Sequence, residues 1–231
     1  MKNNHTMKRC CAWAAAALLA ASAQAGGHFD VDDAGTLDVG QCQYEAWGSR
    51  VSGGAAVRGL HLGPACRVGP VEIGLGVDLF ATRGERAVTY AGPQLKWTFY
   101  GQDPEARLSA ALSAGATFDV TRGGRAGGQF VIPLTWRALD HLQVHANLGA
   151  DWVPGTGART GRGGVQAEWA LNEAVSLIAE RNRAYDLWTS RIGVRFSLTP
   201  RVSVDVSAAR IGRGEQRQRG FVVGLNHEFS R

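Results

Sequence analysis

Short segments in which apolar and polar residues alternate fill most of this chain. The clearest lies at 201–207, where Val202, Val204 and Val206 alternate with polar residues. Because successive side chains of a β-strand point to opposite faces, each such segment predicts a strand with one apolar and one polar face. In a soluble sandwich the apolar faces pack together, whereas in an outer-membrane barrel they face lipid and the polar faces line the interior.

The alternation predicts about twelve strands, most of them near the roughly 9–11 residues that a tilted strand needs to cross a bilayer. The expected strands are 39–51, 57–68, 70–80, 88–100, 105–118, 128–138, 141–153, 163–171, 173–182, 187–198, 201–211 and 219–229. Tight turns alternate with longer loops rich in Gly and Arg, an asymmetry typical of outer-membrane barrels. The predicted fold is all-β: a transmembrane antiparallel up-and-down β-barrel over residues 39–231.

Residues 1–25 have the pattern of a secretory signal peptide. Lys8 and Arg9 precede an apolar run at 12–21, and a small-x-small cleavage motif ends at Ala25. The apolar run is too short for a membrane-spanning helix. Cleavage after Ala25 predicts an exported protein of the bacterial outer membrane, with a short periplasmic or lumenal segment at 26–38 before the barrel.

Removal of the leader changes the charge of the chain. The full sequence has 25 Lys and Arg against 20 Asp and Glu, a formal charge of +5. The leader holds Lys2, Lys8 and Arg9 and no acid, so the mature protein is close to neutral. We therefore expect no nucleic-acid partner. The sequence leaves open whether the chain starts at Met1 or Met7.

The apolar faces carry features that indicate a membrane environment. Tryptophans near strand ends suit the aromatic girdles of such barrels, although ordinary core tryptophans are the alternative. The last predicted strand, with Phe221, Val223, Leu225 and Phe229 on one face, resembles the terminal strand that engages the barrel-insertion machinery. The arginine-rich loops are expected to meet lipopolysaccharide phosphates at the outer surface.

Charged residues of both signs fall on the polar, inward positions. In one interpretation they line an open pore and act on a solute through a transverse field. In the other they form salt bridges that fill a narrow lumen, since buried charges require partners. A barrel of about twelve strands is intermediate between filled small barrels and open porins. The residues expected to line the lumen are Glu72, Asp78, Lys96, Arg107, Arg137, His145, Asp151, Glu168, Arg191, Arg195 and Asp205.

Two cysteines, Cys42 and Cys66, remain after removal of the leader. If Gly53 and Gly54 form the tip of a hairpin, the cysteines lie opposite each other on adjacent strands. The oxidising periplasm then favours a disulfide, with two separate thiols as the alternative. Neither cysteine has neighbours at the spacing of metal ligands, so no metal site is expected there.

The sequence offers little support for catalysis. His145 and Asn147 share an inward face, but a pair deep in the lumen is poorly placed for a lipid substrate, and Ser190 has no histidine at an obvious spacing. The carboxylates and histidine within 28–33 resemble an incomplete cation site and fit better a segment that enters the lumen. We expect no enzyme, no catalytic residue, no metal and no cofactor.

At the start of the mature chain, His28 is followed by Asp-Asp-Ala-Gly-Thr at 32–36 and then by Gly40 and Glu45. This pattern resembles that of a family of outer-membrane transporters associated with the meta-pathway of phenol degradation, which has proline in place of Phe29. The resemblance implies a barrel that passively takes up small solutes, hydrophobic or aromatic compounds among them. The alternative is a structural or interaction barrel with a plugged, salt-bridged lumen and no transport.

Overall fold

Twelve antiparallel strands form a closed barrel in the computed structural model, which describes residues 28–53, 56–103, 105–153, 158–212 and 217–230. Each strand pairs with its neighbours in sequence, and the last pairs with the first. The strands are β1 (Gln41–Ser52), β2 (Val57–Val68), β3 (Val71–Thr82), β4 (Val88–Tyr100), β5 (Leu108–Asp119), β6 (Arg125–Leu139), β7 (Leu142–Val153), β8 (Ala158–Asn172), β9 (Val175–Ala184), β10 (Leu187–Thr199), β11 (Val202–Ile211) and β12 (Gln218–Ser230). The predicted fold is confirmed. Within the described residues, no helix is long and apolar enough to cross a membrane.

The structure differs from the predicted strands chiefly at their ends. β8 begins at Ala158, well before the predicted start at 163, and β5 begins only at Leu108. The connection between β9 and β10, expected to be one of the longer loops, is a two-residue turn of Tyr185 and Asp186, whose φ angles are 49° and 65°. Two consecutive positive φ angles are typical of the tight turns whose twist matches that of the flanking strands.

The two ends of the barrel are distinct. The start of β1, the end of β12 and the turns β2–β3, β4–β5, β6–β7, β8–β9 and β10–β11 lie at one end, which we call the turn rim. The remaining connections lie at the other end, the loop rim. In outer-membrane barrels the short turns are periplasmic and the long loops are outside, which fixes the expected orientation of this barrel.

The alternation of the sequence separates the two faces of the wall. On β7, Leu148 points outward and is 63% exposed, whereas His145 and Asn147 point inward and are 0% and 2% exposed. A polar side chain can be this inaccessible only if something occupies the lumen beside it. The apolar exterior and polar interior are the inverse of a soluble protein's arrangement and are typical of a membrane barrel.

Prolines interrupt the hydrogen-bonded ladder at several positions in the wall. Paired residues are missing between β2 and β3 at Gly63 and Pro64, between β4 and β5 at Gly92 and Pro93, and between β5 and β6 at Pro133. Proline has no N–H to donate, so it cannot complete a ladder on both sides of its strand. Closing a barrel that contains these residues therefore leaves local gaps in strand pairing.

The predicted disulfide between Cys42 and Cys66 is present. The two residues are register partners on β1 and β2, close to the turn rim. The bond therefore links the first two strands close to the point where the N-terminal segment joins the wall at β1.

Candidate functional site

Residues 28–38 lie inside the barrel, and we call this segment the plug. Its end nearest the turn rim is held by two wall strands. The Leu37 N–H donates to Oε2 of Glu72 at 3.0 Å, and the Arg67 guanidinium donates to the Leu37 carbonyl at 2.8 Å and to the Thr36 hydroxyl at 3.2 Å. The wall thus satisfies the backbone of a segment that has no secondary structure of its own.

The middle of the plug contacts β4 and β6. The Ala34 N–H donates to the Thr135 hydroxyl at 2.9 Å, and the Thr98 hydroxyl donates to the Ala34 carbonyl at 2.6 Å. The Lys96 ammonium on β4 binds Asp32 at 2.9 Å and Asp33 at 3.1 Å. Lys96 therefore acts as the principal ionic tether between the wall and this part of the plug.

The deepest part of the plug is bound by β9, β10 and β11. Oε2 of Glu180 accepts the backbone N–H groups of Asp30 at 3.1 Å and of Val31 at 3.0 Å. Arg191 binds Glu180 at 3.0 Å, the Asp30 carboxylate at 2.9 Å and the His28 carbonyl at 2.5 Å. One wall arginine thus joins the plug to the carboxylate that already holds the plug's backbone.

Wall glycines leave room for the side chains of the plug. A Cβ added at Gly164 would lie 2.7 Å from Cγ2 of Val31, and one added at Gly193 would lie 2.9 Å from Cζ of the Phe29 ring. At Gly224 an added Cβ would lie 2.9 Å from Nδ1 of the plug's histidine, with its other neighbours at 3.5 Å or more. The lumen wall is therefore complementary to the plug in shape as well as in charge.

His28 is uncharged in this position. Burial lowers its pKa to about 3, and the nearby Arg191 and Arg195 act in the same direction. Its Nε2 lies 2.6 Å from the Ser207 hydroxyl, and its ring stacks on Phe29 at 4.5 Å between centroids. A neutral imidazole between a serine and a phenylalanine is a packing element of the plug.

A buried ionic cluster lies on the wall beside the plug. Arg195 on β10 binds Asp205 at 2.8 Å and Glu168 at 3.2 Å, and all three side chains are less than 10% exposed. The cluster joins β8, β10 and β11 and requires no plug residue. Breaking a buried pair by removing one partner is strongly destabilising, so this cluster stabilises the wall itself as a unit.

A cavity of about 170 Å³ opens toward the loop rim. Polar groups of Asp78, Gln94, Thr117, Gln129 and Tyr185 line it, and glycines and alanines form the rest of its wall. Gln94 is two residues from Lys96 on β4, so the cavity lies on the loop side of the plug's ionic tether. We call it the outer cavity.

The predicted lumen residues occupy several environments. Asp78 lines the outer cavity and binds His61 at 2.7 Å, while Asp151 binds Arg162 at 2.9 Å. Arg137 points inward but donates to the Ala106 carbonyl at the turn rim. Arg107 lies in the turn before β5 and is exposed, outside the strands that form the lumen wall.

Sequence reasoning underestimated the plug. It placed the charges on the inner face but did not identify the hydroxyl groups of Thr98, Thr135 and Ser207, or the three glycine seats, as contacts of the N-terminal segment. The alternation of side chains along each strand is the signal that places those hydroxyls on the inward face. The partner that they meet depends on the path of the plug, which the alternation of the sequence does not encode.

His145 lies 2.9 Å from the Thr135 hydroxyl and is fully buried. No cluster of metal-ligating side chains occurs among the described residues.

A closed wall that is apolar outside, polar inside and filled by its own N-terminal segment defines a twelve-stranded barrel of the outer-membrane type. The chain belongs to the family described as uncharacterised conserved protein UCP029691, which matches residues 14–229. The predicted association with phenol degradation is not part of that description and stays a prediction. A search of curated proteins found no match.

Several solved outer-membrane proteins have a similar fold. The KdgM porin in complex with disordered oligogalacturonate aligns with a TM-score of 0.61 and 9% identity, covering 81% of this chain and 99% of its own. The COG4313 outer membrane channel from Pseudomonas putida F1 aligns at 0.59 and 11%, covering 87% and 100%. Outer membrane phospholipase A from Escherichia coli aligns at 0.50 and 11%, covering 86% and 98%. At these identities the likeness concerns the fold alone, and the fold is shared by channels and by an enzyme.

Proposed function

We propose that this protein is a passive outer-membrane channel or transporter for small solutes, closed at rest by residues 28–38. The observation that carries the proposal is how the plug is held. Its contacts with the wall are mainly hydrogen bonds and ion pairs from Glu72, Lys96, Glu180 and Arg191. Water can replace such contacts at modest net cost, so the plug can leave and return without unfolding the wall.

The lumen residues would then act on the solute. With the plug withdrawn, Lys96 loses its ion pairs with Asp32 and Asp33. Arg191 keeps its ion pair with Glu180, and Arg195 keeps its own cluster. Opposed charges across a narrow passage produce a field that selects and orients polar solutes. We assign this role to the inward charges predicted from the sequence, with Arg107 acting at the turn rim.

We infer that the solute is polar and small. The side chains that line the outer cavity offer hydroxyl, amide and carboxylate groups, and the cavity of about 170 Å³ suits a compact molecule. The KdgM porin, whose fold is similar, is described in complex with an oligogalacturonate, which is also polar. The hydrophobic or aromatic solutes that the N-terminal resemblance suggests stay a prediction and are the alternative to this inference.

The proposal includes the protein's location and assembly. Export by a leader cleaved after Ala25 falls on residues outside those described, and we retain it as part of the proposal. Phe229 is the second-last residue of β12, and its ring stacks on Tyr44 at 4.9 Å on the outer surface of the wall. We propose that this strand engages the insertion machinery and that lipid and lipopolysaccharide surround the finished barrel.

A second function has its own support. The lumen is filled, and buried carboxylates and arginines are paired within it, which also fits a static structural or interaction barrel. In that case the plug is a permanent part of the core. The phospholipase likeness does not favour catalysis in this chain, because the inward His145 is covered completely.

Planar-bilayer conductance separates the two functions. Three proteins are compared: the wild type, a variant lacking residues 28–37, and the double variant Ala34→Cys/Thr135→Cys. The last joins two residues in direct contact, since the Ala34 N–H donates to the Thr135 hydroxyl at 2.9 Å. If the protein is a channel, the deletion variant should have high conductance. The double variant should have low conductance while its engineered disulfide is oxidised, and its conductance should rise on reduction. The same reductant applied to the wild type controls for the native disulfide.

The outcomes are exclusive. The deletion variant is first shown to be folded by the different gel migration of boiled and unboiled samples. Zero conductance from this folded variant contradicts the channel function and supports the structural barrel. Equal conductance of the double variant before and after reduction contradicts the plug as a gate. Release of labelled sugars or amides from liposomes, compared with aromatic hydrocarbons, then tests the polarity of the solute.

A further inference from the structure

Four arginines lie on the outer surface of the wall close to the loop rim. Arg50 on β1 and Arg58 on β2 are direct register partners, and so are Arg210 on β11 and Arg219 on β12. β12 pairs with β1, so the four residues cross four adjacent strands. We call them the arginine row. Each lies within two residues of the loop-side end of its strand.

Strand register fixes the direction of the row. Arg50 pairs with Phe221, whose side chain is exposed on the outer surface, and directly paired residues share a face. Arg58 is two residues from the exposed Leu60 on the same strand. All four arginines are exposed. The row therefore faces the membrane side of the wall, and the lumen is behind it.

Two like charges placed directly opposite each other on neighbouring strands repel. Lumen arginines avoid this because each has a carboxylate partner, as Arg191 and Arg195 do. None of the ion pairs among the described residues includes a member of the arginine row. The row thus presents a concentration of positive charge that an external anion would relieve.

We propose that the arginine row binds the phosphate groups of lipid A in the outer leaflet. Arginine forms bidentate hydrogen bonds with phosphate, and basic clusters at the headgroup level of a membrane recognise anionic headgroups. Below the row, Phe221, Val223 and Leu225 form an exposed apolar strip on β12. A ligand with phosphates above and acyl chains below matches both parts of this surface.

The inference rests on the proposed outer-membrane location and is independent of transport. The test uses the full-length folded protein in detergent and two pair variants, Arg50→Gln/Arg58→Gln and Arg210→Gln/Arg219→Gln. Purified lipopolysaccharide is titrated in, and the temperature at which the unboiled, folded gel band is lost reports binding. We expect a stabilising shift in the wild type and at least a tenfold loss of affinity in each pair variant.

Matched controls separate phosphate recognition from general charge. The variant Arg83→Gln/Arg86→Gln removes two exposed loop arginines and should lose far less affinity than either pair variant. Lipopolysaccharide with its lipid A phosphates removed should bind no better to the wild type than to the pair variants. Inorganic phosphate at the same phosphate concentration should give no shift, because it lacks acyl chains.

The stability of the pair variants without lipopolysaccharide provides a second measurement. Relief of repulsion predicts that they are at least as stable as the wild type in detergent alone. Lower stability there would assign the arginines a role within the fold and overturn the proposal. Equal affinity of all variants or equal binding of the dephosphorylated lipid would overturn it as well. Conductance should not change in the pair variants, so a failure of the channel proposal is recognised separately.

Discussion

The tether between Lys96 and the plug allows a quantitative test of gating. In Lys96→Met, Asp32 and Asp33 lose the ammonium that lies 2.9 and 3.1 Å from them. Removing one partner of a fully buried pair costs about 3–5 kcal/mol. The side chain of Asp32 keeps 38% exposure, so solvent screening reduces the loss, and we take about 2–3 kcal/mol as the weakening of plug seating.

That loss converts to a change in gating. About 1.4 kcal/mol corresponds to a factor of ten, so the open-to-closed ratio should rise about 30- to 150-fold. Single-channel recordings measure the ratio directly. Lys96→Arg keeps a charge for the two carboxylates and should stay within a few-fold of the wild type. An unchanged ratio in the methionine variant, with a native heat-modifiable barrel, would refute the assignment of Lys96 as a tether. An equal rise in the arginine variant would show that the loss of charge is not the cause.

Three further predictions address the glycines that contact the plug, the ionic cluster of the wall and the disulfide. Gly224→Ala places a Cβ 2.9 Å from the plug's histidine and should raise the open-to-closed ratio about tenfold, since overpacking costs about 1–3 kcal/mol. Gly115→Ala, whose Cβ would meet its nearest atoms at 3.6 Å, is the control and should leave the ratio unchanged. Arg195→Met leaves two buried carboxylates unpaired and should destabilise the folded barrel by about 3–5 kcal/mol; an unchanged urea midpoint would contradict the ionic cluster. Replacing Cys42 and Cys66 together by alanine should cost about 3 kcal/mol in urea unfolding, with the reduced wild type giving the same value.

Much of the architecture could be read from local patterns. The alternation at 201–207 predicted β11, and the same rule predicted the other strands within a few residues, apart from the early start of β8 and the late start of β5. Side-chain alternation is a property of the backbone of a single strand, so it needs no knowledge of distant residues. The symmetric placement of Cys42 and Cys66 about a hairpin likewise predicted the disulfide.

The occupancy of the lumen had to come from the tertiary structure. Asp30 and Glu180 are 150 positions apart, and their contact exists only because the barrel closes around the N-terminal segment. The sequence left open whether inward charges line a pore or fill it. Side-chain alternation shows which face of the strand a side chain lies on, but it does not show which residues lie across the lumen. The same limit applies to the arginine row, whose pairing across β1 and β12 depends on closure of the barrel.

Sequence periodicity determined the strands and their two faces. The closed structure determined which charges meet, which glycines lie against the plug and which arginines lie on the outer surface of the wall. The physical reason is the range of the interactions. Alternation arises between adjacent residues, whereas pairing across a lumen depends on strand number, register and the path of a segment through the interior.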